Sequence, residues 1–119
     1  MNTSTILYAV IAVVLLLVVF RLARARKAPA SVVLEKIRSG ARIIDVRSAG
    51  EFAAGAYPKA KNIPVDVLAS RVGDLPRDKP IVLYCASGAR SANAARILKS
   101  AGFTDVTNAG GLAGMPRGA

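Results

Sequence analysis

Histidine is missing from this chain, and cysteine occurs once. Without histidine there is no Ser-His-Asp or Cys-His catalysis, and the commonest zinc ligand is gone. A single cysteine excludes an internal disulfide and any multi-cysteine metal knuckle. Acids are scarce as well, 7 Asp+Glu against 17 Lys+Arg, which leaves a net charge of +10. Four of the cations (Arg21, Arg24, Arg26 and Lys27) fall in residues 1–30, a stretch with no acid at all. The remaining +6 is scattered over residues 31–119, with no basic run on one helix face and no interleaved aromatics. That pattern argues against nucleic acid as a partner. The length, 119 residues, allows one domain. Carboxylates, Lys/Arg, hydroxyls and one thiol are what remains for chemistry.

One long apolar run stands out. Ile6 to Phe20 reads ILYAVIAVVLLLVVF without a charge. Extended over residues 3–23, with Arg21 snorkelling, it spans about 30 Å as a helix, the thickness of a hydrocarbon core. A signal peptide would begin with a basic segment, whereas MNTST carries no charged side chain and the cations lie on the far side. The positive-inside rule then keeps RLARARK in the cytoplasm. The expectation is a single-pass anchor in the inner (cytoplasmic) membrane with the following domain in the cytoplasm. Cleavage after Ala25 or Ala30, giving a periplasmic domain, is the alternative. An unpaired thiol suits the reducing side.

Beyond the anchor and its basic stop (1–26), residues 27–30 read as a linker and 31–119 as a domain. Ser31 is placed to cap a helix through Ser39, with Gly40 as its stop. Ile43 to Val46 forms a short β-rich run. Val65, Leu68, Val72 and Leu75 recur at helical spacing. Ile81 to Tyr84 is apolar without alternation, as in a strand buried on both faces of a parallel sheet. Ser91, Ala94, Ala95, Leu98 and Ala101 line one stripe of a further helix that Gly102 ends. Phe103 to Asn108 reads as a last strand broken by Ala109-Gly110-Gly111, and the tail MPRGA as loose. Strands alternating with helices imply an α/β class with a small, mainly parallel sheet.

Cys85 sits where the buried strand gives way to Ala86-Ser87-Gly88-Ala89-Arg90 and the helix that follows. Such a loop turns backbone N–H groups inward, and the helix dipole adds partial positive charge. A thiolate is stabilised there, so its pKa falls and its reactivity rises. Gly88 permits backbone angles closed to other residues, and the small side chains keep the cradle open. Arg90 adds a positive charge or braces the loop.

The loop C-A-S-G-A-R-S resembles the active-site loop of the rhodanese (sulfurtransferase) domain. IIDVRSAGEF (43–52) resembles the family's D-V-R-x-x-x-E-[FY] element. The stretch to NIP (62–64) and NAGG (108–111) agree in order, so the resemblance spans residues 41–111. It is nearest to small single-domain members of the phage shock protein E type. The resemblance implies a sheet of four or five strands flanked by helices, the usual first edge strand not being evident. It also implies sulfur transfer through a Cys85 persulfide, with no cofactor and no metal. The partners would be a small sulfane-sulfur donor and a thiol or protein acceptor. Cys85 to Arg90 makes a six-position loop, the sulfurtransferase form rather than the seven-position C-x5-R of related phosphatases. Thiosulfate-preferring two-domain enzymes carry Arg and Lys after the cysteine, where this chain has Ala86 and Ser87. They also carry Arg where it has Glu51, which puts high thiosulfate affinity in doubt. The usual G-H-I-P-G-A reads Gly55-Ala56-Tyr57-Pro58-Lys59-Ala60.

Asp45 and Arg47 fall at the carboxyl end of the first strand, where ligands bind in open α/β sheets. They read as loop support or as a structural ion-pair network in which Arg47 braces Glu51. Ser48 and Gly50 read as caps of the helix bearing Glu51 and Phe52, Tyr84 as core, and Ser91 as a hydroxyl that satisfies backbone or cradles the loop. A non-catalytic binding or sulfur-delivery module, and a thiol redox sensor, are the competing functions.

Overall fold

The computed structural model describes residues 2–25 and 27–118, the backbone alone over 22–25. Arg26 and the side chain of Arg24, two members of the basic cluster, fall outside the described residues. Helix α1 (Thr3–Ala25) carries the apolar run, and its residues from 3 to 21 are all exposed. It is long and apolar enough to cross a membrane, and lies near the N-terminus, where either an anchor or a signal sequence is found.

Helix α2 (Ala30–Arg38) starts one residue before the expected cap. Pro29 is its N-cap, and no side chain bonds the first turn. Proline lacks an N–H and fixes the φ a helix entry needs, so Ser31 lies inside the helix rather than before it. Its end is as expected. Gly40 takes φ +96°, its N–H reaches the Ile37 carbonyl, and Ala41 N–H reaches Lys36. That is a Schellman motif.

Strand β1 (Arg42–Asp45) is followed by α3 (Ala49–Ala53), β2 (Lys61–Asn62) and α4 (Val65–Leu68). The helix expected through Leu75 breaks after Leu68 and resumes as a 3-10 turn at Val72–Asp74. The apolar spacing still serves its purpose, because Leu68 and Leu75 are buried and Val65 and Val72 pack against the same core. Strand β3 (Ile81–Cys85) has every residue buried and ends on the cysteine itself. Helix α5 (Ala89–Ser100) follows, closing with Gly102 at φ +93°.

The last strand is displaced from its expected place. β4 is Val106–Gly111, so it runs through the Ala-Gly-Gly segment instead of stopping before it. Phe103 is the residue after the glycine stop of α5 and packs into the core beside Leu98. The tail is held, not loose: Met115 is buried, and the Tyr57 hydroxyl donates to the Pro116 carbonyl at 2.5 Å.

The four strands pair in parallel in the order β2-β1-β3-β4. Alternation along β3 divides the interior. Ile81, Leu83 and Cys85 face the layer of α4 and α5, whereas Val82 and Tyr84 face Val33 of α2 and Met115. The central strand is thus covered on both faces, as its unalternating sequence requires. All carboxyl ends of the strands lie along one edge of the sheet, and Cys85 is on that edge.

Candidate active site

Cys85 has no solvent-exposed surface. Gly88, at φ +100°, aims its N–H at the sulfur with N···Sγ 2.9 Å. Ser91, buried on the first turn of α5, holds its hydroxyl 3.4 Å from Sγ. The same hydroxyl reaches the carbonyls of Gly88 at 3.1 Å and Gly110 at 3.4 Å. Burial pushes the thiol pKa up, but the Ser91 hydroxyl and the N–H groups of Ser91, Gly88 and Ser87 outweigh it, and the net shift is downward. Loop residues Ala86, Ser87 and Ala89 are exposed, with Gly88 and Arg90 half-buried. The sequence places all of Cys85 to Ser91 in one strand–loop–helix turn, and of these Ser87, Gly88 and Ser91 turn polar groups toward the sulfur.

Arg90 stands apart from that ring. Its guanidinium forms two bonds to the Glu51 carboxylate, at 2.6 and 3.0 Å. Arg90 lowers the Glu51 pKa to about 2, helped by the Ser48 backbone N–H. Glu51 also completes a capping box with Ser48, each accepting or donating across the first turn of α3. Gly50 lies within that helix and caps nothing.

The expected Arg47–Glu51 contact is absent, and Asp45 takes Arg47 instead. Both groups are buried, and Arg47 Nε and Nη2 bond the carboxylate at 2.7 to 3.1 Å. The reason is reach: Arg47 turns back over the end of β1, where its own N–H and the Tyr84 hydroxyl also bond Asp45. Arg47 also holds the Gly55 carbonyl at 2.7 Å. Asp45 and Arg47 therefore tie the start of the 55–60 loop to β3 and touch neither Cys85 nor Glu51 by hydrogen bond.

Three contributors escaped the reading of the sequence. Asn62 Nδ2 donates to the carbonyls of Asp45 and Arg47, pinning the β1 end. Tyr57 N–H donates to the Tyr84 hydroxyl at 2.9 Å, joining the loop to the same network. Gly111 is packed so tightly that a Cβ there would collide with the Ala86 carbonyl, so the end of β4 buttresses the loop. The glycine pair in NAGG was the available signal. Among the described residues, no three His, Cys, Asp or Glu side chains gather as a metal site.

The model of the Rhodanese-like domain family matches residues 29–114. The chain belongs to this family. It is 36% identical over 66 residues to a sulfurtransferase of Allochromatium vinosum, covering 56% of this chain and 62% of that protein. It is 35% identical over 85 residues to the human thiosulfate:glutathione sulfurtransferase, covering 60% and 74%. An uncharacterized Bacillus subtilis protein, YqhL, is 40% identical over 77 residues, covering 62% of this chain and 61% of that one. The chain thus spans about six tenths of the length of the first two curated relatives it matches. Among solved structures, the human single-domain sulfurtransferase TSTD1 superposes with a TM-score of 0.64 at 29% identity, over 76% of this chain and 91% of that one. A rhodanese from E. coli, solved with anions, gives 0.61 at 32%, over 65% and 95%. The rhodanese fold and its likeness to single-domain sulfurtransferases follow.

Proposed function

We propose that this rhodanese-like protein is a membrane-anchored sulfurtransferase that moves sulfane sulfur through a persulfide on Cys85. The observation that carries the proposal is the sulfur itself, buried at the entrance of α5 with the Gly88 N–H 2.9 Å away. The Cys85 thiolate attacks the outer sulfur of a donor R–S–S⁻. A new S–S bond forms on Cys85, the donor's S–S bond breaks, and R–S⁻ leaves with the electron pair. The terminal persulfide sulfur then lies among the N–H groups of residues 86–91, which stabilise its negative charge. A thiolate acceptor attacks that sulfur, takes it as R′–S–S⁻ and returns Cys85 as a thiolate. No net oxidation occurs, and no second cysteine is needed. Residues 86–90 form the cradle, Ser91 supports the thiolate, and Asp45 and Arg47 position the loops beneath. Because Cys85 is fully covered, the loop must part for a donor to enter, which its small side chains make easy.

The domain boundaries we adopt are 1–26 for the anchor with its basic stop, 27–30 for the linker and 31–119 for the rhodanese-like domain. Anchor and orientation rest on the absence of charged side chains from MNTST before the apolar run and on the four cations after it. A reporter fused after Ala119 is expected to be active in the cytoplasm; activity confined to the periplasm would reverse the orientation.

Intact mass of the full chain in detergent tests the chemistry. After a low-molecular-weight persulfide, the mass should rise by one sulfur that a reductant removes, and Cys85→Ser should show no gain. No gain on a folded wild-type chain would leave a binding module at the membrane. Reversible gain of oxygen from peroxide, without sulfur gain, would favour a redox sensor.

A further inference from the structure

In a parallel sheet every strand ends at the same edge, so a helix that leads into the first strand starts at that edge. Helix α2 does so here. Ala28, immediately before it, donates its N–H to the Asn108 carbonyl on β4 at 2.8 Å. Asn108 stands opposite Leu83, two residues before Cys85 along β3. Lys27 comes closer still. Its aliphatic stem covers Gly110, where an added Cβ would meet Lys27 Cδ at 2.9 Å, and its Nζ lies over Gly114. Gly110 in turn backs onto Gly88 of the loop and accepts from Ser91. The chain that leaves α1 is therefore fastened beside the site, not at the far end of the domain.

The tether is short. Five helical residues separate Phe20, the end of the apolar run, from Ala25, and three more reach Ala28. At about 1.5 Å and at most about 3.5 Å per residue, the fixed point is held within about 18 Å of the hydrocarbon boundary. Small solutes enter such a gap freely, but a soluble globular protein, about 30 Å across, does not. On the reading of α1 as an anchor and Cys85 as a sulfur carrier, we infer that the cysteine edge faces the bilayer and that the macromolecular sulfur acceptor is a thiol carried by a membrane protein at its surface. The groove at the opposite end of the strands, where Arg38, Arg42, Lys59, Lys61 and Lys79 outnumber the one acid, Asp74, then points away from the membrane.

Two measurements on the full chain in phosphatidylcholine–phosphatidylglycerol vesicles test this. The first uses Cys85→Ser carrying either Ala89→Cys or Lys79→Cys, each labelled with a donor dye, and an acceptor dye on lipid headgroups. Energy transfer should be severalfold stronger from position 89 than from 79; equal or reversed efficiencies overturn the placement. The second keeps Cys85 and inserts twenty Gly/Ser residues between Arg26 and Lys27. Sulfur transfer from a small persulfide to a thiol-headgroup lipid should fall about tenfold, while transfer to glutathione in solution stays the same. No selective loss overturns the acceptor assignment. Failure of the chain to float with the vesicles removes the anchor and this inference with it. Inactivity toward both thiols with position 89 close to the lipid overturns sulfur transfer and supports the placement.

Discussion

Arg90 and Glu51 meet at 2.6 Å beside a thiol whose proposed donors are anions, and their pairing sets how such a donor is received. Arg90 is the cation the loop provides, yet Glu51 neutralises it. Glu51→Gln keeps the capping box, since glutamine serves equally at that position, while releasing the charge of Arg90. The KM for thiosulfate should fall severalfold in this variant; an unchanged KM would mean that Arg90 does not meet the donor. The Glu51 pKa is depressed to about 2 by Arg90, so the pair's contribution to stability is complete above the ordinary carboxylate range. It disappears as pH falls through about 2, and because both groups are more than a third exposed it is small. Cys85 behaves differently, because its lowered pKa is a matter of reactivity. The rate of alkylation should reach half its maximum below the usual thiol value of about 8.5, and Ser91→Ala should move that midpoint upward. Asp45→Ala would leave a buried guanidinium without its carboxylate and the Tyr84 hydroxyl without its acceptor. A loss of about 3–5 kcal/mol in urea unfolding is expected. Tyr84 itself, pushed to about 12 by burial and by its bond to Asp45, lends stability that is complete below pH 10 and is lost as pH rises through 12.

Among the elements, those with a local code were legible in the sequence. Four apolar residues without alternation gave β3, and the small-residue stripe gave α5 with its glycine stop, because each signal lies within one element. The glycine after α2 was equally local. The misreadings share a cause. Val65 to Leu75 satisfies a helical period because a turn of α4 and a separate 3-10 turn face the same core, and spacing alone does not report the break between them. β4 continues through Ala109-Gly110-Gly111 because those glycines are pressed against the loop after β3, a contact invisible in one dimension. The cysteine loop was readable for the opposite reason: its residues are contiguous. Glu51 taking Arg90 rather than Arg47 depends on how α3 sits over α5, which only tertiary packing decides. Two substitutions test these points. Gly111→Ala drives a methyl into the Ala86 carbonyl and should reduce sulfur transfer at least about tenfold while unfolding remains cooperative. Lys59 holds φ +66°, in the left-handed region, at the place of the second glycine in the G-H-I-P-G-A pattern that residues 55–60 resemble. Lys59→Gly should stabilise the domain by about 0.5–1 kcal/mol, the relief of the left-handed strain less the added chain entropy. An unchanged or lower denaturation midpoint would show that the strain is not there.

At the scale of the whole molecule, the linker is part of the domain's architecture. β4 is one of the two edge strands, and the groove along Val106 to Asn108 is bordered by Lys27, Arg96 and Lys99. Ala28 donates its N–H to the Asn108 carbonyl on this strand. Lysines on a strand edge and a segment laid over it are the means by which sheets avoid pairing with their neighbours. A soluble fragment trimmed to begin at residue 30 would lose both Lys27 and the Ala28 bond. It should self-associate at concentrations where a fragment from residue 27 stays monomeric, as light scattering would show. On that outcome, the few residues that join the domain to α1 would also be what keeps one copy from aggregating with the next.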